Sequence, residues 1–431
     1  MLELIGILVF AFGLLFSIAL HELGHLTPAK KFGVKVTQYM VGFGPTLWSR
    51  HKAETEYGFK AIPLGGYIRI IGMFPPRADG TNRADSQGRF GTMIEDARQD
   101  ALSEIEAGEE DRAFYNLSVP KKLTIMFGGP FMNLILAAAL FAAVFSGFGM
   151  PKPVPTVQDI SVCVPTDANP NGIASVDGTC GDGESTTASN LGLMPGDSIK
   201  SINGYEISEW LDIPDAVWDL AGKTASVTFV RDGVELTQSA VVSTLKYTDE
   251  EGKPAERGFL GMSPAVVWET QSPTVVPGAM ATMIKDMLVG LVDMPKMVIQ
   301  IGVDMVTGKE RNADGPVSVV GIGRISGDIA ASGDMSVKAK AATLVELLAS
   351  VNLLLFVFNM VPLLPLDGGH IAGAMFEGVR RQWARIRGRK ILPGPADTAK
   401  LLPVAYVVSM FLVVMSVVII LADIFNPLSL G

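Results

Sequence analysis

Four stretches of the chain, residues 2–26, 123–148, 341–361 and 401–424, are apolar almost throughout. Crossing about 30 Å of hydrocarbon takes roughly 20 helical residues, so each is long enough to span a bilayer. A fifth apolar stretch, 280–305, has a different pattern. Asp286, Asp293, Lys296, Gln300 and Asp304 recur there at helical spacing, which predicts a helix lying at the membrane surface rather than a further span. The first stretch opens with Glu3 where a signal peptide carries Lys or Arg. It also has no small-residue cleavage site before His21, so it is expected to persist as a membrane helix.

Between these stretches the period changes. Residues 34–71 alternate in short β-type runs punctuated by glycine, as in Val41-Gly42-Phe43-Gly44 and Leu64-Gly65-Gly66-Tyr67-Ile68, and predict hairpins against the membrane. Residues 77–111 turn polar and acidic, with a helix expected near 94–107, and read as a solvated insertion without chemistry of its own. Residues 151–275 hold an α+β module. It has a strand at 198–202, a tight turn at Asn203-Gly204, a helix at 212–220 and a hairpin of 225–231 with 234–242 about Asp232-Gly233. The expected organisation runs as follows: first span (1–33), connection (34–122), second span (123–150), α+β module (151–275), surface helix and connector (276–340), third span (341–370), basic loop (371–400), last span (401–431).

Charge orients this arrangement. Lys30, Lys31, Lys35, Arg50, Lys52, Lys121 and Lys122 flank the first connection, and Arg380, Arg381, Arg385, Arg387, Arg389 and Lys390 fill the last. Basic connections stay in the cytoplasm, so the acidic 151–275 module faces outward and both termini with it. The net charge of −9 argues against nucleic acid as a partner. Cys163 and Cys180 are the only cysteines, too few for a zinc ribbon. They are either free thiols or, outside the cytoplasm, a disulfide closing a short loop with a gain of roughly 3 kcal/mol. The outward topology favours the disulfide.

The chemistry sits at the end of the first span, in His21-Glu22-Leu23-Gly24-His25. Histidines four apart share one helix face and can reach one metal ion, with the glutamate between them placed to handle a proton. The five-residue string also arises by chance. A purposeless glutamate within the span, however, would cost about 2.5 kcal/mol or more. Catalytic zinc takes three protein ligands and keeps one position open, so a third ligand must come from elsewhere. Asp367, at the end of the proline-broken run from Asn359 to Gly369, is the leading candidate and His370 the competitor. Alone, Asp367 reads equally as a helix cap. Asn352 and Asn359 read as interhelical hydrogen-bond partners, and His51 as a solvated loop residue.

On these motifs, with Val41 to Trp48, Pro63-Leu64-Gly65-Gly66-Tyr67 and Gly128-Gly129-Pro130-Phe131-Met132-Asn133, the chain resembles the site-2 protease family of intramembrane zinc metalloproteases. Gly192-Leu193-Met194-Pro195-Gly196-Asp197 followed by Ile202-Asn203-Gly204 resembles the signature of a bacterial PDZ domain, here over 155–245. The likeness is greatest to the bacterial branch with one external PDZ domain, especially the actinobacterial regulators of intramembrane proteolysis. The family's N-x-x-P-x-P-x-L-D-G run is matched at Asn359, Pro362, Leu366, Asp367 and Gly368. The second proline is displaced by one, to Pro365.

The resemblance implies a polytopic α-helical membrane protein with four transmembrane helices, a membrane-associated β-hairpin region and an extracytoplasmic PDZ domain in the plasma membrane. It implies Zn2+ held by His21, His25 and Asp367, with Glu22 as general base and Asn359, Pro362, Gly65 and Gly66 near the substrate. The partners implied are single-span membrane substrates of anti-sigma-factor type and remnant signal peptides, an upstream site-1-type protease, and the lipid bilayer. Two other classes fit parts of the pattern: a PDZ-bearing scaffold with a degenerate protease core, and a metal transporter.

Overall fold

The computed structural model describes residues 1–77, 89–166, 169, 171–173, 179–180, 183–248, 253–309, 311–312 and 315–427. Residues 78–88 of the polar insertion and parts of the cysteine-bearing stretch lie outside that set. Contacts divide the chain into one unit of Met1–Gly147 with Ser272–Gly431, and a second of Phe148–Gln271 that interrupts it.

The first unit opens with α1, Leu2–Lys31, whose uninterrupted apolar run needs no cap to be helical in lipid. Two long bent strands follow, β1 (Val36–Lys52) and β2 (Thr55–Ile70). Each folds back on the other, so Met40 stands between Tyr67 on one side and Gly58 on the other, and Trp48 faces Phe59 further out. The several short hairpins expected here are thus one doubled ribbon in the order 46–52, 55–60, 36–41, 66–70. The segment 66–70 forms its rim; among the described residues no strand pairs with the far side of that rim. Tyr39 ties the ribbon to α1 by donating its hydroxyl to Ala19 O at 2.7 Å.

Helix α2 spans Arg89–Ser103, starting and ending earlier than the expected 94–107. It is not a free solvated element. Arg98 is 2% exposed and bonds Pro75 O, Glu95 and both carboxylate oxygens of Asp397. A guanidinium buried in this way is costly unless its donors are met, and here they are. Helix α3, Val119–Ala142, runs on through a π-helical turn, Ala143–Phe148.

The interrupting unit contains β3 (Met150–Ile160), α4 (Thr187–Asn190), β4 (Ser198–Ile202), β5 (Tyr205–Glu206), α5 (Asp212–Val217), β6 (Thr224–Arg231), β7 (Val234–Val241), β8 (Ser243–Thr248), β9 (Pro254–Phe259) and β10 (Met262–Glu269). The order β10-β3-β4-β6-β7, with β5 off β4, makes one sheet, and β8 pairs with β9. Ile199, Val227 and Phe229 are fully enclosed in its core with Val157 and Leu193. Asn203 and Asp232 hold positive φ at the turns expected there. Cys163 and Cys180 are joined as a disulfide with Cα atoms 5.5 Å apart.

The first unit resumes with α6 (Val276–Thr307), α7 (Val319–Ala331), α8 (Val337–Asn359), α9 (Asp367–Ile386) and α10 (Leu402–Phe425). Among the described residues, five helices of this unit are long and apolar enough to cross a membrane, α6 among them despite its polar stripe. The architecture is that of a polytopic helical membrane protein carrying some β-sheet.

Candidate metal centre

The centre is assembled where α1 crosses α3. Pro28 has no N–H to donate to Gly24 O, and Gly24 lies against Gly128 so closely that a Cβ on Gly128 would stand 2.0 Å from that oxygen. Gly129 is equally constrained: a Cβ there would meet His25 Nε2 at 2.1 Å. Small residues allow this approach, as is usual where helices pack within lipid. The reward for it is a buried hydrogen bond, His25 Nδ1 to Ile125 O at 2.7 Å.

That bond sets the tautomer. A carbonyl only accepts, so Nδ1 carries a proton, and Nε2 is left as the nitrogen that can face a metal. His21 Nε2 stands 3.2 Å from His25 Nε2, and the two rings meet edge-on at 78°. The chain then leaves α8, passes Pro362 and the cis Leu364–Pro365 bond, and starts α9 at Asp367. Asp367 Oδ2 reaches 3.2 Å from His21 Nε2 and 3.3 Å from His25 Nε2.

Three electron-rich atoms therefore converge in a triangle with edges of 3.2–3.3 Å. They are the one such ligand group among the described residues. Asp367 Oδ2 and His21 Nδ1 are buried without hydrogen-bond partners. Lone pairs crowded in this way repel unless a cation stands among them. A tetrahedral ion with bonds of about 2.0 Å places its ligands about 3.3 Å apart. The donor set, two imidazoles and a carboxylate, suits zinc with one position left open.

The other expected residues fall around this triangle. Glu22 is 8% exposed on α1, and Gly66 lies so near that a Cβ would meet Glu22 Cγ at 2.9 Å. Gly65, at φ +94°, sits beside the Phe43 ring. Asn359 is half-buried at the end of α8, and Pro362 is exposed on a recess with Leu363, Leu364 and Phe376; neither joins the triangle. His370, one turn into α9, is also outside it and lines a small recess with Lys122 and Glu377. His51 is exposed in β1 rather than in a loop. Asn352 donates to Ser17 Oγ at 3.0 Å, linking α8 to α1. The residues that sequence reasoning assigned no role are Ile125, whose carbonyl orients His25, and Gly129, which makes room for that ring. The Gly128-Gly129 pair was the visible signal.

The model of peptidase family M50 matches residues 9–393. The chain belongs to peptidase family M50. It is 32% identical to zinc metalloprotease Rip1 of Mycobacterium tuberculosis over the whole of both chains. It is 33% identical to that of Mycolicibacterium smegmatis over 99% of this chain and 98% of the other. Identity to zinc metalloprotease RasP of Bacillus licheniformis is 23%, covering 86% and 90%. Zinc is the cofactor these M50 relatives' names carry, and the triangle of His21, His25 and Asp367 fits it.

Proposed function

We propose that this M50 chain is an intramembrane zinc endopeptidase that hydrolyses peptide bonds in transmembrane segments of single-span membrane proteins. The observation that carries the reading is the convergence of His21, His25 and Asp367 beside a glutamate in an apolar helix. His21 Nε2, His25 Nε2 and Asp367 Oδ2 would hold the zinc. Bound there, zinc supplies Lewis acidity that makes water nucleophilic near neutral pH and polarises a carbonyl oxygen. The Glu22 carboxylate accepts the proton of the attacking water and passes it to the departing amine. Ile125 O keeps the His25 proton on Nδ1, away from the metal side of the ring.

A helical substrate hides its carbonyls in internal hydrogen bonds, so it must unwind before attack. The rim strand 66–70 has an unpaired side among the described residues and passes Glu22 at Gly66. An unwound substrate adds there as a further strand, brought beside the base by the close approach that Gly65 and Gly66 permit. Asn359 and Pro362 border the path from the Asp367 side.

Four spans, α1, α3, α8 and α10, fit this function, with α6 lying on the outer surface. Supporting this, α6 packs against α10 through Val298, Met415 and Ile419, the latter two in the second half of α10. The cytoplasmic side then carries the doubled ribbon and the basic loop. The interrupting unit is an extracytoplasmic PDZ domain of the plasma membrane, where a disulfide is stable. It would act as a docking surface or size gate for substrates of anti-sigma-factor type already trimmed by a site-1-type protease.

The test is Glu22→Gln in the full-length protein reconstituted with a membrane substrate. Zinc content is expected to stay at one per chain while cleavage falls by at least ~100-fold. Undiminished cleavage would refute the assignment.

A further inference from the structure

Helix α9 carries Asp367 at one end and an apolar stripe that nothing among the described residues covers. Its inner face is settled: Glu377 is 1% exposed and accepts from Lys122 Nζ at 2.8 Å and from Ala396 N at 3.0 Å. A Cβ on Gly378 would touch Val119 at 3.2 Å. Positions 377–378 thus lie beside the first residues of α3, where Lys121 and Lys122 end its apolar run. The remaining eight residues to Ile386 carry the helix about 12 Å beyond that level.

The outward stripe does not stop there. Met375, Phe376, Val379, Trp383 and Ile386 are 56–71% exposed and share one face at helical spacing. Along α9, Met375 and Phe376 precede the contact with Val119 and Lys122, whereas Trp383 and Ile386 follow it by one to two turns. The apolar character continues into the following turn at Ile391, 87% exposed. Arginines line both flanks. Arg385 is on one side; Arg380 and Arg387 are on the other, their guanidinium groups 5.8 Å from the Phe376 ring and 4.8 Å from the Trp383 ring. Arg385, Arg389 and Lys390 are exposed and make no ion pair among the described residues.

We propose that the distal half of α9 and the turn after it dock on anionic phospholipid headgroups. The stripe is continuous with a surface level with α3's apolar segment, so its distal half emerges into the headgroup layer of the same leaflet. Tryptophan at the boundary, with basic side chains whose stems lie along apolar surface, matches the chemistry of an anionic leaflet. Because Asp367 begins the same rigid helix, the lipid contact also steadies the carboxylate end of the metal centre. The inference rests on the cytoplasmic placement of the basic loop proposed above.

The test uses full-length protein, whose native cysteines are bonded to each other, carrying a single spin label at Ile386→Cys in nanodiscs. Labels at Val413→Cys, on the exposed middle of α10, and Gln99→Cys, an exposed position of α2, give lipid and water references. The α9 label is expected to fall between the two references, less open to a nickel chelate than the α2 label and less open to oxygen than the α10 label. Phosphatidylglycerol should be retained over phosphatidylcholine on the order of tenfold by native mass spectrometry. Replacing Arg385, Arg387, Arg389 and Lys390 by Gln should abolish that preference while leaving α10 in lipid. Nickel access at the α9 label equal to that at the α2 label, beside oxygen access at the α10 label, overturns the docking but not the span reading. Nickel access at both overturns both. An α9 label closed to both reagents indicates a protein partner and also overturns the proposal.

Discussion

In the interrupting unit, Phe229, Val227 and Ile199 are almost wholly removed from solvent and interlock across one sheet. In the helical unit the decisive contacts are of another kind: Gly24 on Gly128, Gly129 on His25, Asn352 on Ser17. The difference follows from the solvent. Burying apolar side chains from water stabilises the first kind of core, at about 25 cal/mol per Å². Lipid gives helices no such drive, so close backbone approach and hydrogen bonds must hold them. A metal centre built on the second kind of contact is tolerant of changes in apolar bulk and intolerant of a single added methyl at the crossing.

Gly129→Ala breaks the comparison hardest. Its Cβ would occupy the space of the His25 ring, so zinc affinity and cleavage are both expected to fall by roughly 100-fold or more. Hydrogen exchange across 148–271 should be unchanged, and retention of zinc at wild-type affinity would show the crossing is slack. Phe229→Ala makes the opposite cut. It is expected to destabilise the interrupting unit by about 3–5 kcal/mol, seen as faster exchange in 225–241, with zinc still bound.

The smallest effect is an acid one. Arg231 makes two hydrogen bonds, of 2.8 and 2.7 Å, to Asp197, and with the Met194 N–H holds its carboxyl below the usual carboxylate range. A carboxyl lowered on folding stabilises above its unfolded value, and that stability is lost as pH falls through the folded one. The interrupting unit should therefore weaken below about pH 4. In Asp197→Asn that acid-dependent part should vanish, leaving a lower, flatter profile in thermal melts at graded pH.

How much of this was legible in the sequence divides along the same line. Turn chemistry at Asn203-Gly204 and Asp232-Gly233 marked the hairpins of the interrupting unit, because such dipeptides demand particular backbone angles. The His21–His25 spacing marked two ligands, because a helix turn fixes it. What stayed hidden depends on long-range register. No local pattern says that Met40 lies between Gly58 and Tyr67, that Arg98 is buried against Asp397, or that a carbonyl 100 residues from His25 chooses its tautomer. Helix α6 shows the limit from the other side: its polar stripe suggested a surface helix, yet its length and apolarity alone match a span.

Zinc stoichiometry in the purified full-length protein tests the account most directly, with Asp367→Ala compared against wild type and Glu22→Gln. One zinc per chain is expected in the latter two and none retained through dialysis in Asp367→Ala. Wild-type zinc content in Asp367→Ala would contradict the centre described here.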